Sequence, residues 1–169
     1  MYSSFNWDFW ELENSGMISF RDAADPGMRA HKKIDKEPTK LIETFKKYLS
    51  HTIEEVQPDR VFIDSMETMF LVIKSHYTLM MCVDDLFDVL RTHDITSVIT
   101  VGTMFGIDEV VEYGADSVTN LGMVRVGNNL QRSIHVVKIR GSASVNQVRV
   151  LQISDNGVSV LTQSPYLEF

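Results

Sequence analysis

Arg60-Val61-Phe62-Ile63-Asp64-Ser65 is the stretch that decides the fold. Two β-branched residues and a phenylalanine form a short apolar run, which follows Gln57-Pro58-Asp59 and ends in a carboxylate and a hydroxyl. A continuous apolar run without alternation predicts a strand buried on both faces, as in parallel sheets. Polar residues at the carboxyl end of such a strand lie where open α/β sheets bind ligands. Asp64 and Ser65 are therefore the first candidates for chemistry.

Asp64 has two interpretations at this position. In nucleotide hydrolases of the P-loop class, an aspartate after such a strand holds Mg²⁺ directly or through water. The simpler alternative is that Asp64 caps the next helix or begins a turn. The six residues alone favour the simpler alternative, because a strand followed by aspartate is common.

Length and composition exclude several classes of protein. The chain has 169 residues, 44% of them hydrophobic and 23% charged, which suits one soluble domain spanning residues 1–169. A net charge of −7 is unfavourable for binding nucleic acid or an acidic membrane. The single cysteine, Cys82, excludes an internal disulfide and indicates a reducing cytoplasm. No apolar run is long enough to cross a membrane.

The pattern of elements changes halfway along the chain. The front half alternates helices and strands, which implies parallel crossovers, whereas the back half contains two hairpins, which are antiparallel. The first predicted helix has Thr39 as its candidate N-cap and an apolar stripe that runs to Val56. The other predicted front elements are helices at about 77–92 and 107–113 and core strands at 60–64, 95–101 and 116–121. The predicted hairpins turn at Gly127-Asn128-Asn129 and Asp155-Asn156-Gly157. The fold class is therefore α/β, with a parallel core sheet flanked by helices and an antiparallel C-terminal extension.

Four stretches in this order resemble the KaiC-like branch of the RecA superfamily of ATPases. Arg60 to Ser65 is similar to the Walker B strand of that family. Phe5 to Asp8, followed by Gly16, is similar to its aromatic segment. Phe105 to Glu109 with Gly114 to Asp116 is similar to its Gly-hydrophobic-Glu passage, and Val137 to Gly141 is similar to its K-x-R-G segment. Asn6 and Ser117 stand where the family usually has glycine. The resemblance runs nearly from end to end and implies a RecA-like fold.

The phosphate-binding loop of the family is the main departure. That loop reads G-x-x-x-x-G-K-[ST], its backbone amides cradle phosphates and its lysine reaches them. No glycine of this chain is followed by lysine. The resemblance places the loop and the catalytic glutamates upstream of the first residue, so we expect a fold that lacks the N-terminal P-loop strand. We then expect no catalytic residue acting in cis, no cofactor-binding residue, and Mg-ATP only if an upstream segment or a partner subunit completes the site.

Three residues keep a role by resemblance. Asp64 is a candidate Mg²⁺ ligand, and Lys138 and Arg140 are candidates to act in trans on the nucleotide of a neighbouring subunit. Residues i and i+2 of a strand share a face, so both cations can aim at one target. The alternative is that Lys138 and Arg140 are merely a polar strand end.

The missing P-loop strand also has a structural consequence. In the family it lies between the strands predicted here at 95–101 and 116–121. Without it, these strands must pair with each other or leave edges that invite another chain. We therefore expect a homo-oligomer or an assembly with a KaiC-like ATPase subunit.

Two functions compete, and a third is weaker. The first is a non-catalytic KaiC/RecA-like protein that acts by self- or hetero-association in regulation or signal transduction. The alternative is the C-terminal part of a functional KaiC-like ATPase whose P-loop lies upstream. Nucleic-acid binding is the third, and the acidic composition argues against it.

Overall fold

The computed structural model describes residues 8–23, 38–71, 73–103, 106–143 and 147–162. They belong to two compact units: a helical unit, Phe20–Gly114, and a sheet unit, which joins Met1–Ser19 with Ala115–Phe169. Part of the aromatic segment, Phe5 to Trp7, and Phe105 lie outside the described residues. No helix among the described residues is long and apolar enough to cross a membrane.

Helices and strands follow the order that the sequence predicts. The helices are α1 (Phe9–Asn14), α2 (Pro38–Val56), α3 (Glu67–Phe70), α4 (His76–Thr92) and α5 (Ile107–Gly114). The strands are β1 (Arg60–Ile63), β2 (Thr96–Ile99), β3 (Ser117–Val126), β4 (Asn129–Ile139), β5 (Arg149–Ser154) and β6 (Gly157–Val160).

Helices α2 and α4 form the core of the helical unit, and the sequence predicted both, although Thr39, the expected N-cap of α2, lies inside the helix. Each places an apolar stripe inward at helical spacing. The Ser75 hydroxyl caps α4 by accepting from the Thr78 N–H at 3.3 Å. The buried stripe residues are Ile42, Phe45, Leu49 and Ile53 of α2 and Leu79, Cys82, Val83, Leu86, Phe87 and Leu90 of α4.

Cys82 has a packing role. The residue is buried in the core of the helical unit. Burial raises the pKa of the Cys82 thiol, and the nearby carboxylate of Asp85 adds to the increase, while Lys46 opposes it. The thiol therefore stays protonated and behaves as a small apolar side chain.

Strands β1 and β2 pair in parallel, with Phe62 opposite Val98 and Ile63 opposite Ile99. The prediction that β1 is buried on both faces was wrong. Val61 and Ile63 are half-buried against the core, but Phe62 is 65% exposed and Val98 52% exposed. The described helices cover only one face of the β1–β2 sheet. Alternate residues of the apolar run in β1 are therefore half-buried and exposed.

The sheet unit is antiparallel in the order β3-β4-β5-β6. Both predicted hairpins are confirmed, and Gly127 supplies the positive φ of +59° that the first turn needs. The prediction of a parallel core strand at 116–121 was wrong. Those residues begin β3, which runs on to Val126 and pairs with β4, whereas β2 pairs with β1. The hairpin gives β3 one neighbour, β4, and no strand among the described residues pairs with its other edge.

Gly114 packs against an aromatic ring and allows no side chain. A Cβ added there would lie 2.6 Å from two ring carbons of Phe87, which is itself buried. We expect Gly114→Ala to lower the free energy of unfolding by about 1–3 kcal/mol through overpacking. The 2.6 Å approach to two ring carbons puts the cost at the upper end of that range, so after the roughly 1 kcal/mol that alanine returns over glycine in a helix a net loss of about 2 kcal/mol remains.

Urea denaturation measures the effect, with Gly122→Ala as the matched control. A Cβ at Gly122 would lie 3.5 Å from the Ser133 hydroxyl oxygen, which is an ordinary contact. The control should leave stability unchanged or slightly raised. Equal stability of Gly114→Ala and the parent chain would contradict the tight packing described here.

Candidate functional site

Polar side chains meet where β1 and β2 end. The Thr100 N–H donates to the Ile63 carbonyl at 3.0 Å and so extends the parallel pairing beyond the strands. The Thr100 hydroxyl donates to Asp64 Oδ1 at 2.5 Å. The peptide bond between Asp64 and Ser65 is cis. Asp64, the predicted Mg²⁺ ligand, is thus exposed at the carboxyl edge of the sheet with one oxygen oriented by Thr100.

Glu67 ties the start of α3 to the segment after β2. Its Oε2 accepts from the Gly102 N–H at 3.1 Å. A Cβ at Gly102 would lie 3.2 Å from Glu67 Oε1, so this close approach favours glycine. Burial raises the pKa of the Glu67 carboxyl, but hydrogen bonds from its own N–H, the Gly102 N–H and the Ser65 hydroxyl outweigh burial and lower the pKa below its ordinary value. Glu67 is therefore an ionised acceptor that holds backbone.

The carboxylates of Asp64 and Glu67 have different roles. Glu67 is occupied with backbone donors, whereas Asp64 is exposed and keeps a second carboxylate oxygen beyond the one that Thr100 contacts. Within the described ranges, no group of three or more His, Cys, Asp or Glu is placed to hold a metal ion. An Mg²⁺ ion at Asp64 would therefore need oxygen ligands from water and from a bound phosphate, as this ion usually takes.

Lys138 and Arg140 lie at the end of β4, in the sheet unit. Lys138 is opposite Val118, beside a register shift in the β3–β4 pairing. Arg140 follows the last residue of β4, and its Nη1 lies 3.2 Å from Asp116 Oδ1 in an exposed ion pair. Its N–H also donates to the Asp116 carbonyl at 2.8 Å. Because the strand ends between the two cations, the prediction that they share one target stays a prediction.

Sequence reasoning found Asp64 and Ser65 but missed Glu67, Thr100 and Gly102. The signal that could have identified them in the sequence was the end of the next core strand, β2. Parallel neighbours end at the same edge of a sheet, so the polar residues after β2 had to lie near those after β1. Glu67, three residues after Asp64, then had backbone donors within its reach.

Glu67 makes stability depend on pH in a definite direction. Its pKa is lowered from 4.5 in the folded chain, so ionised Glu67 favours folding above the pKa of the unfolded chain. That contribution is lost as the pH falls through the lowered folded value. We expect Glu67→Gln to reduce the free energy of unfolding at pH 7 by about 1 kcal/mol, because an ionised acceptor is replaced by a neutral one.

Urea denaturation at pH 7 and pH 3 tests this expectation. The difference between the parent chain and Glu67→Gln should shrink at the lower pH. The exposed Glu54→Gln, on α2, is the control and should leave the difference close to zero at both values. If Glu67→Gln lowers the free energy of unfolding by the same amount at both pH values, the charge of Glu67 does not contribute to stability.

The chain resembles known proteins along nearly its whole length. It is 27% identical over 165 residues to a UPF0273 protein of Pyrococcus horikoshii, an alignment that covers 94% of this chain and 66% of the relative. It is 30% identical over 119 residues to the circadian clock protein KaiC2 of Synechocystis, covering 67% of this chain and 20% of that protein. The chain thus spans just under two thirds of the length of its UPF0273 relative.

A solved structure shows the same fold. The crystal structure of a KaiC-like protein from Pyrococcus horikoshii superposes with a TM-score of 0.73 at 20% identity, over 94% of this chain and 66% of that one. The parallel β1–β2 pair and the antiparallel sheet therefore belong to an α/β KaiC-like fold. The profile of the family described as "ATPase: KaiC" matches residues 1–165, and the chain belongs to that family.

Proposed function

We propose that this chain is a non-catalytic KaiC-family protein that acts by association, with itself or with a KaiC-like ATPase subunit, in regulation or signalling. It works in the cytoplasm. The observation that carries the proposal is that the β1–β2 edge has a candidate Mg²⁺ ligand while the sequence has no phosphate-binding loop. Asp64, which the family resemblance gives to Mg²⁺, is exposed and oriented by Thr100, but no glycine in the sequence is followed by the lysine that a phosphate-binding loop requires.

Phosphoryl transfer explains why that imbalance matters. Catalysis of this reaction consists almost entirely of positioning the phosphates and stabilising their charge. A lone carboxylate that receives one hydroxyl hydrogen bond can hold a hydrated Mg²⁺, but it cannot bind the phosphates themselves. The segment 60–65 therefore serves as a Walker B strand only when another segment or subunit supplies the loop.

The second candidate is the C-terminal part of an active KaiC-like ATPase. It is favoured by the family assignment and by the relatives, which extend well beyond the region that this chain matches. In that case the loop comes from the same polypeptide, and Asp64 is a working Mg²⁺ ligand. The two candidates differ in the source of the loop and agree on the role of the strand.

The 169-residue chain alone should not hydrolyse ATP. Purified protein incubated with Mg²⁺ and ATP should release phosphate no faster than buffer, because nothing in its sequence supplies the phosphate-binding lysine. Asp64→Asn serves as the control. Phosphate release that scales with protein concentration and disappears in the variant would reject the non-catalytic function.

Lys138 and Arg140 supply the test in trans. An arginine donated to the transferring phosphoryl group of a neighbour is worth about 10³–10⁵ in rate. We expect the chain to raise the turnover of a P-loop-bearing KaiC-like relative with which it associates, and Lys138→Ala with Arg140→Ala to reduce that increase by about tenfold or more. Folding should hardly change, since exposed ion pairs contribute little.

The measurement is turnover of the relative titrated with parent or substituted chain, with binding confirmed by light scattering. The control removes two exposed lysines of the helical unit, Lys47→Ala with Lys74→Ala. Equal turnover with the parent chain and with the Lys138/Arg140 variant, when both bind, would leave the pair as ordinary surface.

A further inference from the structure

The β3–β4 hairpin exposes a face that carries several large apolar side chains. The register sets Leu121 opposite Ile134 and Met123 opposite Arg132 on this face, and Leu121 is 67% exposed and Met123 56% exposed. The opposite face carries Asn120, Gly122, Val124 and Val126 of β3, with both valines half-buried, and the buried Ser133 of β4. The solvated face of an antiparallel sheet normally carries polar residues, so large apolar side chains on the exposed face are unusual.

The apolar face continues across the sheet. Arg125 is opposite Leu130, which is 64% exposed. Ile134 is opposite Arg149 in β5, so the alternation along β5 and β6 brings further exposed apolar residues to the same side. Those residues are Ile153, Val158 and Val160. We call this side the sheet face, and an apolar surface that spans four strands indicates an interaction site.

Charge on the sheet face has one sign. Strands β3 and β4 contain no aspartate or glutamate, and Arg125 and Arg132 both lie on the exposed side. In the part of the chain that the structure describes, neither arginine side chain has a hydrogen-bond or ion-pair partner. Residues 115–169 carry five Lys or Arg and three Asp or Glu, whereas residues 1–114 carry 11 and 20. The binding partner of the sheet face should therefore be apolar and acidic.

Helix α4 offers a surface of that kind. Its outward stripe runs at helical spacing from Tyr77 and Met81 to Asp84 and Asp88, all exposed. Among the described residues, the Asp88 carboxylate has only a long contact, 3.5 Å, to Arg91 on the same helix. We call this stripe the helix face, and it combines two large apolar side chains with two carboxylates.

The spacings of the two faces agree. Arg125 and Arg132 are diagonal neighbours across the strand pair, about 7–8 Å apart at their Cα atoms. Asp84 and Asp88 are one helical turn apart, with about 5–6 Å between their Cβ atoms. Flexible arginine side chains cover the difference, so two guanidinium groups can meet two carboxylates while the apolar residues pack beside them.

We propose that the sheet face of one copy of this chain binds the helix face of a second copy. The proposal rests on the association proposed above and identifies its surfaces. Two sheet faces in contact would bring like charges together, so a head-to-tail arrangement is favoured over one between identical faces. Nucleic acid fits less well, because residues 115–162 contain no Phe, Tyr or Trp on which bases could stack.

Complementary charge reversal tests the proposal. Arg125→Glu with Arg132→Glu reverses the sheet face, and Asp84→Lys with Asp88→Lys reverses the helix face. Light scattering over a concentration series should show the parent chain growing in mass and each reversed variant remaining monomeric. An equimolar mixture of the two variants should regain mass, because the reversed faces then attract each other. Circular dichroism checks that each variant folds. If the reversed sheet-face variant fails to fold, Arg125→Gln with Arg132→Gln replaces it and should weaken association at least tenfold.

The control is Lys47→Glu with Lys74→Glu, which makes the same change in net charge as the sheet-face reversal, but at exposed positions of the helical unit, and should associate like the parent chain. A parent chain that is monomeric at every concentration would overturn both the proposed association and this interface. Association that survives both reversals, or a mixture that stays monomeric, would overturn this interface alone. Oligonucleotide binding by the parent chain is measured in parallel. If the sheet-face variant loses that binding while its mass stays that of the parent chain, this interface would also be overturned.

Discussion

The hydrogen bond from the Thr100 N–H to the Ile63 carbonyl is the constraint on which the candidate site depends. It extends the parallel pairing one residue past β2, and the segments after both strands then leave the sheet side by side. The next bond, from the Met66 N–H to the Thr100 carbonyl at 3.2 Å, continues this contact. Met66 is fully buried, so the segment that carries Asp64 is anchored in the core immediately after the carboxylate. An exposed side chain thus gains a fixed position without being buried itself.

Elements that depend on local spacing were predictable, and contacts between layers were not. The stripes of α2 and α4 follow from a period of 3.6 residues, and turn residues such as Gly127 identified the hairpins. The burial of β1 depends on what covers each face, and no local pattern carries that information. Phe62 in an apolar run reads the same whether its face is covered or open. The candidate site was half predictable for the same reason: Asp64 was visible in the sequence, but Glu67 gained its role only through Gly102.

Net charge was the least informative quantity in the sequence. A value of −7 describes the whole chain and conceals an acidic N-terminal two thirds followed by a basic C-terminal third. The average disfavours wholesale binding to polyanions, but it says nothing about binding between regions of opposite sign. Counting charges by segment would have shown the asymmetry. Only the register of β3 and β4 shows that Arg125 and Arg132 share one exposed face.

The proposed interface and the proposed action in trans require the same geometry. Asp64 belongs to the helical unit, and Lys138 and Arg140 belong to the sheet unit. A head-to-tail contact sets the sheet unit of one copy against the helical unit of the next, whereas a contact between identical faces sets like units together. Cations that act on the nucleotide of a neighbour can do so only across a boundary between unlike units. The segregation of charge along this chain, which favours that boundary, is therefore also what would let the K-x-R segment serve another subunit.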